Sequence, residues 1–176
     1  MRKKRNILIG SISLTALSFY FLQITFVNTV LAIGQNVPDL LLILAIFVGF
    51  RLGPMPGSVF GFVAGFFQDV LTGFYGLQAL TKTLIGFFSN LFINQRVLLI
   101  EKYYFPLIVF IGSLLHDAFY YWFQSLGAKL EFGSLFIQYG VINSFYNAVL
   151  AFLLYLMTPK KFLDFVHYNP RHEFDY

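Results

Sequence analysis

The chain reads as an all-α integral membrane protein, a bundle of six transmembrane helices forming one domain. Three observations predict this. Of its 176 residues, 58% are hydrophobic and 11% are charged, against about 25% charged in a soluble domain. The apolar residues fall in runs separated by short breaks carrying Pro, Gly or charge. Gly49, Gly53, Gly57, Gly61 and Gly65 recur at four-residue spacing, with Asp69 next in that register. Residues four apart share one helix face, and a bare stripe of this kind lets another backbone approach closely in lipid.

At about 20 residues per span plus short loops, the length accommodates about six spans and leaves no room for a soluble domain. There are no cysteines, which removes disulfides, thiolate catalysis and cysteine-ligated metals. The net charge of +4 reports topology in such a chain rather than nucleic-acid binding.

After the basic start MRKKRN, the first apolar run covers about 7–33. A signal peptide's apolar region is about 7–15 residues, so this run reads as an uncleaved helix. The second span covers about 38–51: Asn36 can cap it, Pro38 suits the first helical position, and Asp39 suits the positive end of the helix dipole. The break RLGPMP leads to the glycine-stripe helix, about 57–71, and the turn TGFYG to a fourth span, about 77–93. The link NQRVLLIEK precedes a fifth span, about 103–123. Its ends are marked by Tyr103 and Tyr104 and by Tyr120, Tyr121 and Trp122, roughly 25 Å apart on a helix, close to a hydrocarbon core. After the loop SLGAKLEFG the sixth span covers about 134–157, Pro159 stops it, and 159–176 form a tail. The second and third spans are short, and they either tilt little or form a hairpin; both versions return the chain to the same side.

With the N-terminus inside, Arg2, Lys3, Lys4, Arg5, Arg51, Arg96, Lys102, Lys160, Lys161 and Arg171 fall inside, Lys129 falls outside and Lys82 lies within a span, which accounts for all twelve basic residues. This fits the positive-inside rule and puts both termini in the cytoplasm.

Candidate residues follow from this frame. Gly57, Gly61 and Gly65 either pack against a helix of the same chain or receive a partner's membrane helix. Asp69 and Lys82 lie at similar depth across a short turn, and pair with each other, with Gln78 or Gln68 nearby; the plainer reading has Asp69 hydrated and Lys82 reaching the interface. His116 and Asp117 are adjacent and point about 100° apart, so they do not share a site by geometry alone. Tyr139, Asn143 and Asn147 form a polar stripe that joins helices by hydrogen bonds or lines a solute cavity. In the tail, Phe162, Leu163, Phe165 and Val166 beside Lys160 and Lys161 make an interfacial anchor or a contact with a cytoplasmic partner. No nucleophile elbow, phosphate loop or metal-spaced ligand set occurs, so neither an enzyme, a metal nor a cofactor is expected.

The segment Pro38 to Asn90 resembles the rod shape-determining protein MreD family. The matching features are Pro38 and Asp39; Gly57, Gly61, Phe62, Gly65 and Asp69; Gly76 and Leu77; and Leu84 with Gly86 and Phe87. That family often has Tyr where Phe87 stands and a small residue where Asn90 stands. The resemblance implies a component of the bacterial inner membrane and of the wall-elongation machinery. Its partners there would be a bitopic MreC-type protein, an MreB-type actin homologue, a RodA-type glycosyltransferase and a class B penicillin-binding protein. It also implies a fold like the substrate-binding (S) subunit of energy-coupling-factor transporters. The expected role is a non-enzymatic scaffold whose glycine face takes the partner's helix; the alternative is a small-solute-binding membrane subunit of a transporter.

Overall fold

The computed structural model describes residues 2–73, 76–92, 101–128 and 131–166. Among these residues the chain is helical and holds no β-strand. Arg96, Lys129, Arg171 and the tail beyond residue 166, which entered the reading of topology, lie outside the described residues.

Helix α1 (Arg2–Leu22) continues through a π-helical turn, Gln23–Val27, into a last turn, Asn28–Val30. Helix α2 is Leu40–Leu52, α3 is Pro54–Thr72, and α4 is Leu77–Phe88, followed by a 3₁₀ turn at Ser89–Phe92. Helix α5 is Glu101–Ala128. A short turn, Phe132–Leu135, and a π-helical segment, Phe136–Gly140, lead into α6 (Val141–Met157), and α7 is Lys160–Phe165. Among the described residues, three helical stretches are long and apolar enough to cross a membrane: Ile9–Val30, Glu101–Leu126 and Phe132–Met157.

Helix α2 is apolar all round, which marks a helix enclosed by others. Its residues from Leu40 to Ile46 are all buried. Leu42, Ile43, Ile46 and Phe50 form the core with Ile85 of α4, Phe105, Ile108 and Val109 of α5, and Ala151 of α6. Asp39, not Asn36, caps α2, and Leu40, not Pro38, is its first helical residue: Asp39 is extended (φ −110°), and its Oδ1 accepts the Leu42 N–H at 2.9 Å. Asn36 is instead engaged in a tight backbone pairing with Ile33. The break between α2 and α3 narrows to one residue, Gly53, whose φ of 102° suits glycine alone. Pro54 and Pro56 then fall in the first turn of α3, where a missing N–H breaks no helical bond.

The tail turns back onto the bundle. Leu163 and Val166 are buried, so this part of the tail packs into the protein instead of lying free as an interfacial anchor. Arg51, at the end of α2, donates to Glu101 Oε2 at 2.5 Å and to the Leu163 carbonyl at 3.2 Å. One buried guanidinium thus ties together α2, the start of α5 and α7.

Candidate functional site

The glycine stripe is already occupied. Helices α3 and α4 run antiparallel, and Gly57 faces Gly86, Gly61 faces Lys82, and Gly65 faces Gln78 and Ala79. Each step moves four residues up one helix and four down the other. A Cβ at any of the three would strike backbone atoms of α4, and Gly49 of α2 also meets Gly86. The expectation that Gly57, Gly61 and Gly65 receive a partner's helix is therefore corrected: the chain's own α4 fills that face.

This close approach delivers polar side chains of α4 to one end of the bundle. Asp69, at the end of α3, does not pair with Lys82. Its two oxygens accept the N–H groups of Gln78 (3.0 Å) and Ala79 (2.8 Å), capping α4 across the turn. That satisfies two donors orphaned at a helix start and puts the carboxylate against the positive end of the helix dipole. Lys82, fully buried, reaches Asp39 Oδ2 at 2.6 Å, Gln78 Oε1 at 2.7 Å and His116 Nε2 at 3.4 Å.

His116 and Asp117 do share one cluster, despite their angular separation. The His116 Nδ1 lies 2.8 Å from Asp117 Oδ1, while Nε2 looks toward Lys82. The imidazole spans the gap because its two nitrogens point in opposite directions. The Tyr120 ring stacks on His116 with centroids 6.2 Å apart. On α6, Asn147 donates to Ser113 Oγ at 2.5 Å and accepts the Asp39 N–H at 2.7 Å. Tyr139 stands one step away, its ring 6.3 Å from that of Tyr121.

Asp39, His116, Asp117, Gln68, Gln78, Tyr120, Tyr121, Asn143 and Asn147 line a polar cavity of about 160 Å³, together with Gln23 and Asn28 from the turns that extend the C-terminal end of α1. Both π-helical segments flank this end, one carrying Gln23 and the other Tyr139, a placement often associated with functional sites. No group of three or more metal-ligating side chains exists among the described residues. Sequence reasoning missed Asp39 as the partner of Lys82, and missed Gln23 and Ser113. Asp39 carried a signal: a carboxylate opening an apolar run lies at the same bundle end as Lys82.

A second cavity, about 840 Å³ and apolar, lies between α1 and the α2–α3 pair. Only 6% of the α1 span is buried. The helix is held at its C-terminal end, where Gln23 Oε1 accepts the Leu40 N–H and its amide donates to the Pro38 carbonyl, both at 2.9 Å.

Compared with known proteins, residues 1–166 match the family model described as rod shape-determining protein MreD. The chain belongs to the MreD family. It is thereby a rod shape-determining membrane component. No curated protein and no solved structure matches it. The MreD-like residues Asp39, Gly57, Gly61, Gly65, Asp69 and Gly86 all act within the chain: they cap α2 and α4 and bring α2, α3 and α4 into backbone contact.

Proposed function

We propose that this chain is a non-enzymatic scaffold of the wall-elongation machinery, a multi-pass protein of the bacterial inner membrane with both termini cytoplasmic. It holds a bitopic MreC-type partner by that partner's membrane helix. It thereby positions a RodA-type glycosyltransferase and a class B penicillin-binding protein outside the membrane relative to an MreB-type filament inside. In this reading α2, α3 and α4 complete a six-span bundle with the three longer helices, in the manner of the energy-coupling-factor S subunits.

The observation that carries the reading is the apolar groove beside α1. Lipid is as apolar as any helix face, so partner choice in a membrane rests on close packing and shape. The groove supplies both: Ser13, Ala16 and Ala64 give it small residues, and Tyr20, Phe60 and Phe67 give it walls. Along α1 it runs from Ile9 to Tyr20, about three helical turns.

The test is co-purification of membrane partners in mild detergent. Ala16→Trp and Val59→Trp should each lose the bitopic partner while inserting normally, and Leu14→Trp, on the exposed face outside the groove, should keep it. Normal recovery of the partner by both groove variants would remove the groove's role. Recovery of paired ATPases with a coupling subunit would replace the scaffold reading with the transporter one.

A further inference from the structure

The hydrogen-bonding capacity around the polar cavity can be followed atom by atom. A lysine ammonium has three donors and no acceptor. Those of Lys82 go to Asp39 Oδ2, Gln78 Oε1 and His116 Nε2. The ring of His116 bridges two groups, Nδ1 lying 2.8 Å from Asp117 Oδ1 and Nε2 3.2 Å from Gln78 Oε1. Gln23 gives its two amide hydrogens to Asn28 Oδ1 and the Pro38 carbonyl and accepts from the Leu40 N–H. Asn147 donates to Ser113 and accepts from Asp39.

Three acceptors stand apart from these bonds. Asp117 Oδ2, Gln68 Oε1 and Asn143 Oδ1 are buried without a hydrogen-bond partner, and all three residues line the cavity. Asp117 itself is only 8% exposed. Every one of these atoms is an acceptor.

We infer that the cavity binds a small organic cation through an ammonium group, whose N–H donors meet Asp117 Oδ2, Gln68 Oε1 and Asn143 Oδ1. An anion would find no such welcome, because the ammonium of Lys82 is fully buried and engaged by Asp39 Oδ2 and Gln78 Oε1. The faces of Tyr120 and Tyr121 suit a cation's methylene groups and charge. A volume of about 160 Å³ equals that of about five waters, room for a cation the size of ethanolammonium. That ammonium chemistry is offered both by a free amine and by the headgroup of phosphatidylethanolamine. The site stands whether or not the groove takes a partner's helix.

The experiment titrates the full-length protein in phosphatidylglycerol nanodiscs with ethanolammonium chloride, followed by calorimetry, with sodium acetate and acetamide as controls of similar size. Saturable heat is expected with ethanolammonium at up to about 10 mM, and none with either control. Asp117→Asn should weaken binding at least about tenfold. Asn143→Leu should weaken it too, and it leaves the Lys82–His116–Asp117 chain intact should Asp117→Asn fail to fold. Adding phosphatidylethanolamine to the discs separates the sources: loss of the ethanolammonium heat identifies the lipid headgroup as the occupant, and retention identifies a free amine. Absence of saturable ethanolammonium heat in phosphatidylglycerol discs would overturn the inference. So would an equal response to acetamide, the behaviour of a merely wet cavity, or unchanged affinity in either folded variant.

Discussion

Lys82 and Asp39 lie 43 residues apart in sequence and meet at 2.6 Å, joining the start of α2 to the middle of α4. Because Lys82 is fully buried, removing either partner strands the other away from water. Lys82→Met should lower stability by about 3–5 kcal/mol, the loss typical when one member of a buried pair is deleted. Adding Asp39→Asn should restore part of that loss, since Asn keeps the cap on α2 without the charge. Unfolding in mixed micelles checks this: additive losses in the double variant would show that the two residues do not support each other.

Gly61 tests how tightly α3 and α4 are joined. A Cβ there meets the Lys82 carbonyl and the Thr83 nitrogen, backbone atoms that cannot rotate away. Gly61→Ala should therefore destabilise by about 1–3 kcal/mol, as overpacking does, although alanine is the better helix former. A Cβ at Gly10 would meet nothing within 4 Å, so Gly10→Ala should be neutral or mildly stabilising. Equal thermal midpoints for the two variants would contradict the interface described.

Asp69 acts as a cap built from the preceding helix. Asp69→Ala should lose about 1–2 kcal/mol. Asp69→Asn should lose less, because it retains one acceptor for the Gln78 or Ala79 N–H. Hydrogen exchange at the first turn of α4 reads the effect directly, and unchanged protection in Asp69→Ala would rule the cap out.

Arg51 holds the tail. Arg51→Gln should remove the cation beside the buried Glu101 carboxylate and release the Leu163 carbonyl, at about 3–5 kcal/mol. The local readout is trypsin cleavage at Lys160 and Lys161, which should accelerate in the variant well before the rest of the chain is cut.

Much of the fold was legible because it rests on local rules. The helical class followed from long apolar runs, the break at Gly53 and the turn at Gly73–Gly76 followed from glycine, and the family followed from Pro38 to Asn90. The pairing of polar groups was less legible because depth along a helix does not fix the direction a side chain takes. Asp69 and Lys82 do sit at the same end, yet Asp69 lies close enough to the turn for its oxygens to reach the backbone of α4 first. Lys82 is then left to cross toward α2. His116 and Asp117 escaped a period-based argument because an imidazole can bond sideways to its own neighbour. The glycine stripe was read correctly as a site of close approach, but spacing alone names no partner, and the partner is a helix only a few residues further on.

The turn between Gly73 and Gly76 carries an unusual demand. Surface connections ordinarily tolerate gained or lost residues. Here the glycine contacts of α3 and α4 and the cap from Asp69 are all counted across that turn. An insertion that shifted α4 against α3 would swing Lys82 away from Asp39 and set side chains where the bare stripe admits only backbone. The length of this short connection is thus fixed by the helices it joins, and it should be among the segments of the chain least permissive to insertion or deletion.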